Sequence, residues 1–197
     1  ESDGTETNPG VMHGQITDLP VNRVRITYDF SDPQQKYDFI VGSAGTRREL
    51  NDNRLIVSRA SDADVLKVAL YKYNIRIDRL TYHAELLAGD HINAYMNTIW
   101  DGNWAPAVGC AGIHHSGGRI WTNNGNGMPS TDVTPVALRT PYLSEFGLAD
   151  TGLAWTLDGL TVTLDGPCYT GMDGTLGLGG YNSDVVFDNI TFEGRLE

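Results

Sequence analysis

Leu160-Thr161-Val162-Thr163-Leu164-Asp165-Gly166 alternates without a break: Leu160, Val162 and Leu164 share one side, Thr161 and Thr163 the other. A period of two is the mark of a half-buried strand, and Asp165-Gly166 begins a turn. Gly174-Thr175-Leu176-Gly177-Leu178-Gly179-Gly180-Tyr181 follows after a short linker. Ser183-Asp184-Val185-Val186-Phe187-Asp188-Asn189-Ile190-Thr191-Phe192 comes next. Strand-like segments in succession, with turn residues between them, predict an all-β sandwich.

The same grammar runs back along the chain. Val24, Ile26, Tyr28 and Phe30 alternate with Arg25, Thr27 and Asp29 until Asp29-Phe30-Ser31-Asp32-Pro33 breaks the strand. Asn51-Asp52-Asn53 forms a turn into Arg54-Leu55-Ile56-Val57-Ser58, and Val65 to Tyr73 is read as strand. Ile75 and Ile77 share one phase while Leu80, Tyr82, Ala84 and Leu86 share the next, so a bulge or break is expected near Asp78-Arg79. Ala88-Gly89-Asp90 turns into a strand from His91, Val108 to His115 is another, Arg119-Ile120-Trp121 follows, and then an Asn/Gly/Pro/Ser-rich loop runs through Pro135.

The closing segments, together with Asp29-Phe30-Ser31-Asp32 and Asn53-Arg54-Leu55-Ile56-Val57, resemble concanavalin A-like (laminin G-like) jelly rolls. The resemblance covers the first two strands and the last three. It implies an all-β jelly-roll β-sandwich of two antiparallel sheets, a fold that carries lectins, binding modules, glycosidases and polysaccharide lyases alike.

Composition agrees with one extracellular or periplasmic sandwich. The 197 residues suffice for one domain with a real core. We expect that domain over residues 22–195, with a flexible leader over 1–21 and a cloning remnant at 196–197. The chain opens on Glu1 and reads as a mature or trimmed form. No apolar run reaches the roughly 18 residues of a membrane span. A net charge of −11 disfavours nucleic acid and anionic lipid surfaces, and suits calcium and a neutral or cationic partner. Cys110 and Cys168 allow two readings, a pair of thiols or a disulfide pinning a late loop to a central strand.

Function is sought in the middle of the chain. Tyr95, Trp100, Trp104 and Trp121 fall close together, interleaved with Asn97, Asp101, His114, Arg119 and Asn123. Sugars present flat C–H faces rimmed by hydroxyls, so a sugar site wants aromatic platforms with short amides and carboxylates around them. The competing reading makes Trp100 and Trp121 ordinary core. Two polar ladders add to the picture: Arg79, Thr81, His83 and Glu85 on one strand, and His91, Asn93, Tyr95 and Asn97 on the next. Each lines either a binding face or plain solvent.

Three enzyme readings follow from the resemblance. Laminarinase-like glycosidases carry Glu-x-Asp-x-x-Glu, which sets two carboxylates about 5–5.5 Å apart; Glu85 has no acidic neighbour at i+2 or i+4. Alginate-lyase-type proteins are echoed by Arg47-Arg48-Glu49-Leu50 and Gly112-Ile113-His114, without the family's closing Tyr-x-Lys-x-Gly-x-Tyr strand. Proteins similar to 3-keto-glycoside hydrolases end in the same way. For an enzyme on this fold, His83, Glu85 and His114 are the candidate proton-transfer residues.

Adjacent His114 and His115 point to opposite faces of a strand, which argues against a zinc site. Calcium is expected instead. Concanavalin-like domains set their first and last strands side by side, and the resemblance implies a structural Ca²⁺ near Asp29 and Asp188. Asp188 keeps phase with Val186, Ile190 and Phe192 and would then point inward; the other phase, Val185 with Phe187, sends it to solvent. Asn189-Ile190-Thr191 is formally a glycosylation sequon.

The sequence thus predicts binding of a polysaccharide or oligosaccharide by aromatic stacking and polar contacts. The alternatives are a glycan-cleaving enzyme on the same fold or a laminin G-like adhesion domain whose partner is a protein.

Overall fold

The computed structural model describes residues 12–40, 46–59, 65–69, 75–96, 98–99, 108–109, 112–116, 118–123, 130–132, 136–149, 152–165, 175–180 and 182–196. Its strands in chain order are β1 (Gln15–Leu19), β2 (Arg23–Tyr28), β3 (Phe39–Ile40), β4 (Thr46–Asn51), β5 (Arg54–Arg59) and β6 (Val65–Ala69). Then come β7 (Ile75–Ala88), β8 (His91–Met96), β9 (Thr98–Ile99), β10 (Val108–Gly109), β11 (Gly112–Ser116) and β12 (Arg119–Asn123). The last are β13 (Ser130–Asp132), β14 (Pro141–Ala149), β15 (Gly152–Leu157), β16 (Leu160–Asp165), β17 (Thr175–Gly179) and β18 (Asp184–Leu196).

Two antiparallel sheets form a concanavalin A-like jelly roll. A nine-stranded sheet runs β1-β2-β18-β7-β14-β15-β16, with β5 also paired to β18 and β4 to β5. A seven-stranded sheet runs β13-β12-β11-β8-β17-β6-β3, and β9 and β10 pair separately. Alternation decides what goes inside. Leu80, Tyr82, Ala84 and Leu86 of β7 and Phe187, Ile190 and Phe192 of β18 meet Ile92, Ala94, Ile120, Leu176 and Leu178 of the other sheet in one core. Each leucine, isoleucine and phenylalanine among them contributes about 1.5–3 kcal/mol on burial. Tyr82 packs edge-on to Phe187 with ring centroids 5.6 Å apart. The rings of His115 and Tyr142, one from each sheet, meet edge-to-face at 4.7 Å.

The turns carry the residues they need. Asp52 and Asn53 both have positive φ (51° and 56°), the primed geometry of a two-residue hairpin between β4 and β5. Gly89, at φ 90°, turns β7 into β8. The expected slip near Asp78 is present: Glu193 pairs with Arg79 but Gly194 pairs with Ile77, so Asp78 is an extra residue. Its carboxylate takes a bidentate pair of hydrogen bonds from Arg23, both 2.6 Å.

Two expectations are corrected and one open choice is decided. Residues 12–21 are not a leader. β1 pairs along its whole length with β2, and Asp38 fastens the segment before it by accepting hydrogen bonds from His13 N–H (2.7 Å) and Gly14 N–H (2.9 Å), with Tyr28 O–H at 2.8 Å. β1 escapes a pattern search because it is an edge strand, exposed on both faces except at Leu19. Leu196 likewise belongs to β18, and its N–H donates to Asn22 O at 2.9 Å. The open choice concerns Asp188. Pairing of β18 with β7 shifts between Asp188 and Thr191, and Asn189 adopts φ 49°, so a bulge resets the phase. Val185 and Phe187 therefore face the core together with Ile190 and Phe192, and Asp188 faces outward.

Candidate functional site

Inward residues of the seven-stranded sheet fix which positions face out. Ile92, Ala94, His115, Ile120, Leu176 and Leu178 are buried in the core. The opposite phase then forms three rows across the strands. In the first, Asn123, Gly112, Tyr95, Gly177 and Lys67 are successive register partners. In the second, Ser130, Trp121, His114, Asn93, Gly179 and Val65 follow one another. The third joins Asp132, Arg119, Ser116 and His91.

Five of the predicted binding residues, Tyr95, His114, Arg119, Trp121 and Asn123, thus occupy outward positions of one sheet face. Asn97, Trp100, Asp101 and Trp104 lie outside the described residues, as do Cys110 and Cys168. Glycine decides the relief of the face. Tyr95 has Gly112 as its partner on one side and Gly177 on the other, and Asn93 has Gly179. A glycine within a strand marks a place where a ligand or another backbone can come close. These glycines were missed in the sequence although the signal was present: Leu176 and Leu178 are core, so Gly177 and Gly179 must face out.

The structure does not bring His83, Glu85 and His114 together. His83 and Glu85 lie on the outer face of the nine-stranded sheet, because Tyr82, Ala84 and Leu86 fill the core phase of β7. His114 belongs to β11 of the other sheet, at a register position of the phase opposite the core. Around β7 the neighbours are those of a solvated face: Arg25 pairs with Glu193 at 2.6 Å, Arg54 with Glu85 at 3.2 Å, and Thr27 and Thr191 hydroxyls meet at 3.3 Å.

The residues expected to share calcium do not fit one ion. Asp29 accepts from Ser31 N–H (3.1 Å), Ser31 Oγ (2.8 Å) and Gln35 Nε2 (3.4 Å) through one oxygen, and from Gln15 Nε2 (3.1 Å) through the other. The Ser31 bonds above all hold its carboxyl below the ordinary aspartate range. Donors directed at both oxygens take the place a cation would need. Asp188 accepts the N–H of Asn189 at 2.7 Å on its outward bulge. Among the described residues no group of three or more His, Cys, Asp or Glu is placed to hold a metal.

Architecture and register define a jelly-roll sandwich with an aromatic and glycine-bearing outer face. No protein-family model matches the chain, and no curated protein matches it in sequence. Solved structures share its fold. A protein with a galectin-like fold from Bacillus subtilis superposes with a TM-score of 0.61 at 11% identity, covering 93% of this chain and 98% of that one. The carbohydrate-binding module CBM66 from Bacillus subtilis gives 0.55 at 12% identity, over 78% and 94%. A β-glucanase from Bacillus licheniformis gives 0.58 at 10%, over 87% and 98%. At these identities the likeness is one of fold.

Proposed function

We propose that the chain is a carbohydrate-binding domain of the extracellular or periplasmic space, and that the outer face of its seven-stranded sheet holds a polysaccharide. One observation carries this reading. The register sets Tyr95 between Gly112 and Gly177, one row from Trp121, His114 and Asn93, and this gathering of aromatic, amide and imidazole residue types with glycines on one face supports a sugar site. Stacking of a sugar's C–H face on the rings supplies affinity, and Asn123 and Arg119 orient the hydroxyls. A carbohydrate-binding module and a β-glucanase among the fold neighbours support a glycan as the partner.

Binding is favoured over cleavage by the residues on this face. Along the described strands its outward positions carry one carboxylate, Asp132, where retaining or inverting hydrolysis uses two.

The test is retention on a panel of soluble and insoluble polysaccharides, with release of reducing ends or unsaturated products followed over a day on the same sample. Retention without product, lost in Trp121→Ala and Tyr95→Ala, is the expected result. Product release would overturn the binding-domain reading, and absence of retention on every glycan would leave a protein-binding adhesion domain in its place.

A further inference from the structure

A depression of about 170 Å³ lies on the outer face of the nine-stranded sheet, away from the face that carries Tyr95. Its origin is a change of partner. Along one edge β18 pairs with β5 through Val185, Val186 and Phe187, then with β2 from Ile190 to Arg195. Asp188 and Asn189 fall between those two ladders, on the bulge. On its other edge β18 stays with β7, where Asp188 stands opposite His83 and Val186 opposite Glu85. The sheet therefore opens locally over an apolar floor of Val186 and Pro141. Its rim is Arg54, His83, Glu85, Asp188 and the exposed Asn189.

The charges of that rim do not cancel. Arg54 Nη1 lies 3.2 Å from Glu85 Oε2, so these two neutralise each other. Asp188 is left as the open anion, its hydrogen bond coming from its own neighbour's backbone. An apolar floor suits the C–H face of a single ring, and the amide of Asn189 and the imidazole of His83 suit hydroxyls. The volume is below the roughly 300–1,000 Å³ of a drug-sized site, which limits the occupant to about one ring. We propose that this depression is a second ligand site, and that it takes one amino-sugar unit whose ammonium pairs with Asp188. An acidic sugar is excluded from it by the same carboxylate.

This site is independent of the aromatic face, and its test uses probes small enough to report on it alone. Amide and imidazole NMR shifts of the full chain are followed during titration with glucosamine, glucose and glucuronate. The expected result is a set of shifts confined to His83, Glu85, Val186 and Asn189, strongest for glucosamine, weaker for glucose and absent for glucuronate. Asp188→Asn should cut glucosamine affinity about fivefold, the scale of an exposed charge pair, to the level of glucose. His83→Ala, a change at an exposed position, should weaken both sugars. Equal binding of glucuronate, a glucosamine preference that survives Asp188→Asn, or shifts that gather elsewhere would each overturn the proposal.

Discussion

On the nine-stranded sheet one outward row reads Thr27, Thr191, Thr81, Glu145, Thr156 and Thr161. On the seven-stranded sheet the row through Tyr95 reads Asn123, Gly112, Tyr95, Gly177 and Lys67. Both come from regular antiparallel pairing, and both cover the same core from opposite sides. The first consists of five threonines and the exposed Glu145, which is how a sheet faces water. The second alternates large and absent side chains, which produces relief. Identical backbone geometry thus yields one row of even polar residues and one in which glycines separate large residues, and the difference rests on a few glycines and aromatics.

The largest effect that would break this contrast is on binding. Replacing Tyr95 and Trp121 together by Ala should weaken polysaccharide retention by about 30-fold or more, as loss of a central aromatic anchor costs roughly 2 kcal/mol or above. Gly177→Val should act in the same direction by about tenfold, since it raises a side chain beside Tyr95. Arg79→Ala with Thr81→Ala, on the other sheet, should leave retention within about twofold. Affinity electrophoresis on one polysaccharide ranks all three. Equal losses from both sheets would erase the distinction.

Alkali should separate the two sheets next. Tyr82 is fully buried beneath the nine-stranded sheet, and burial pushes its hydroxyl up to about 12 from the usual 10.0. Tyr28, also buried and held to Asp38, is pushed up as well, by burial first and the carboxylate second. In the unfolded chain both lose their protons near pH 10, while the folded chain keeps them. Their contribution is therefore complete below pH 10 and is lost as pH rises from 10 toward 12. Thermal unfolding should fall steeply in that window, with exchange protection failing first in β2 and β7. Tyr82→Phe keeps the ring, removes the titration, and should make the fall shallower. An unchanged slope would refute the assignment.

What the sequence shows and what it hides follows from these same elements. Strands with one buried face were legible, because alternation records burial: β2, β5, β7, β16, β17 and β18 all stand where their patterns put them. The slip at Asp78 was legible for the same reason. β1 was not, since an edge strand exposed on both faces leaves no alternation to find. The bulge at Asn189 was not either. It falls in a run, Val185 to Phe192, apolar in both phases, and only the pairing with β7 shows which phase wins. Nor does a sequence state to which sheet a ladder belongs. His83, Glu85 and His114 were grouped as candidate proton-transfer residues, but β7 carries the first two and β11 the third, and these strands belong to different sheets. Topology and not pattern decides that, and it separated one candidate set while it gathered the other around Tyr95.

Ion pairs sharpen the comparison at a smaller scale. Asp78 holds Arg23 through two short bonds, with both side chains roughly a fifth exposed, and its hydrogen bond is the main reason the guanidinium binds its proton more tightly than usual. Asp78→Ala should lower stability by about 1 kcal/mol in dilute buffer, and by less at about 1 M salt, where screening acts within roughly 3 Å. Polysaccharide retention that depends on stacking should barely respond to the same salt step. Chemical denaturation and retention measured in parallel give both numbers.

The smallest effect comes from one substitution made on each face. Gly147 of β14 lies in the outward phase between Arg79 and Ala154, and a Cβ built there meets no atom within 4 Å. Its φ is not in the left-handed region, so alanine fits the backbone as it stands. Gly147→Ala should stabilise the fold by about 0.4–1 kcal/mol by restricting the unfolded chain. For a chain of this size that is a rise of about 1–4 °C in Tm. Retention should not change. Gly177→Ala restricts the unfolded chain in the same way, but its new methyl stands at the register partner of Tyr95, where the floor is needed. It should therefore weaken retention whatever it does to Tm. If Gly147→Ala and Gly177→Ala give the same pair of readings, the glycines of the seven-stranded sheet are there for the strand and not for a ligand.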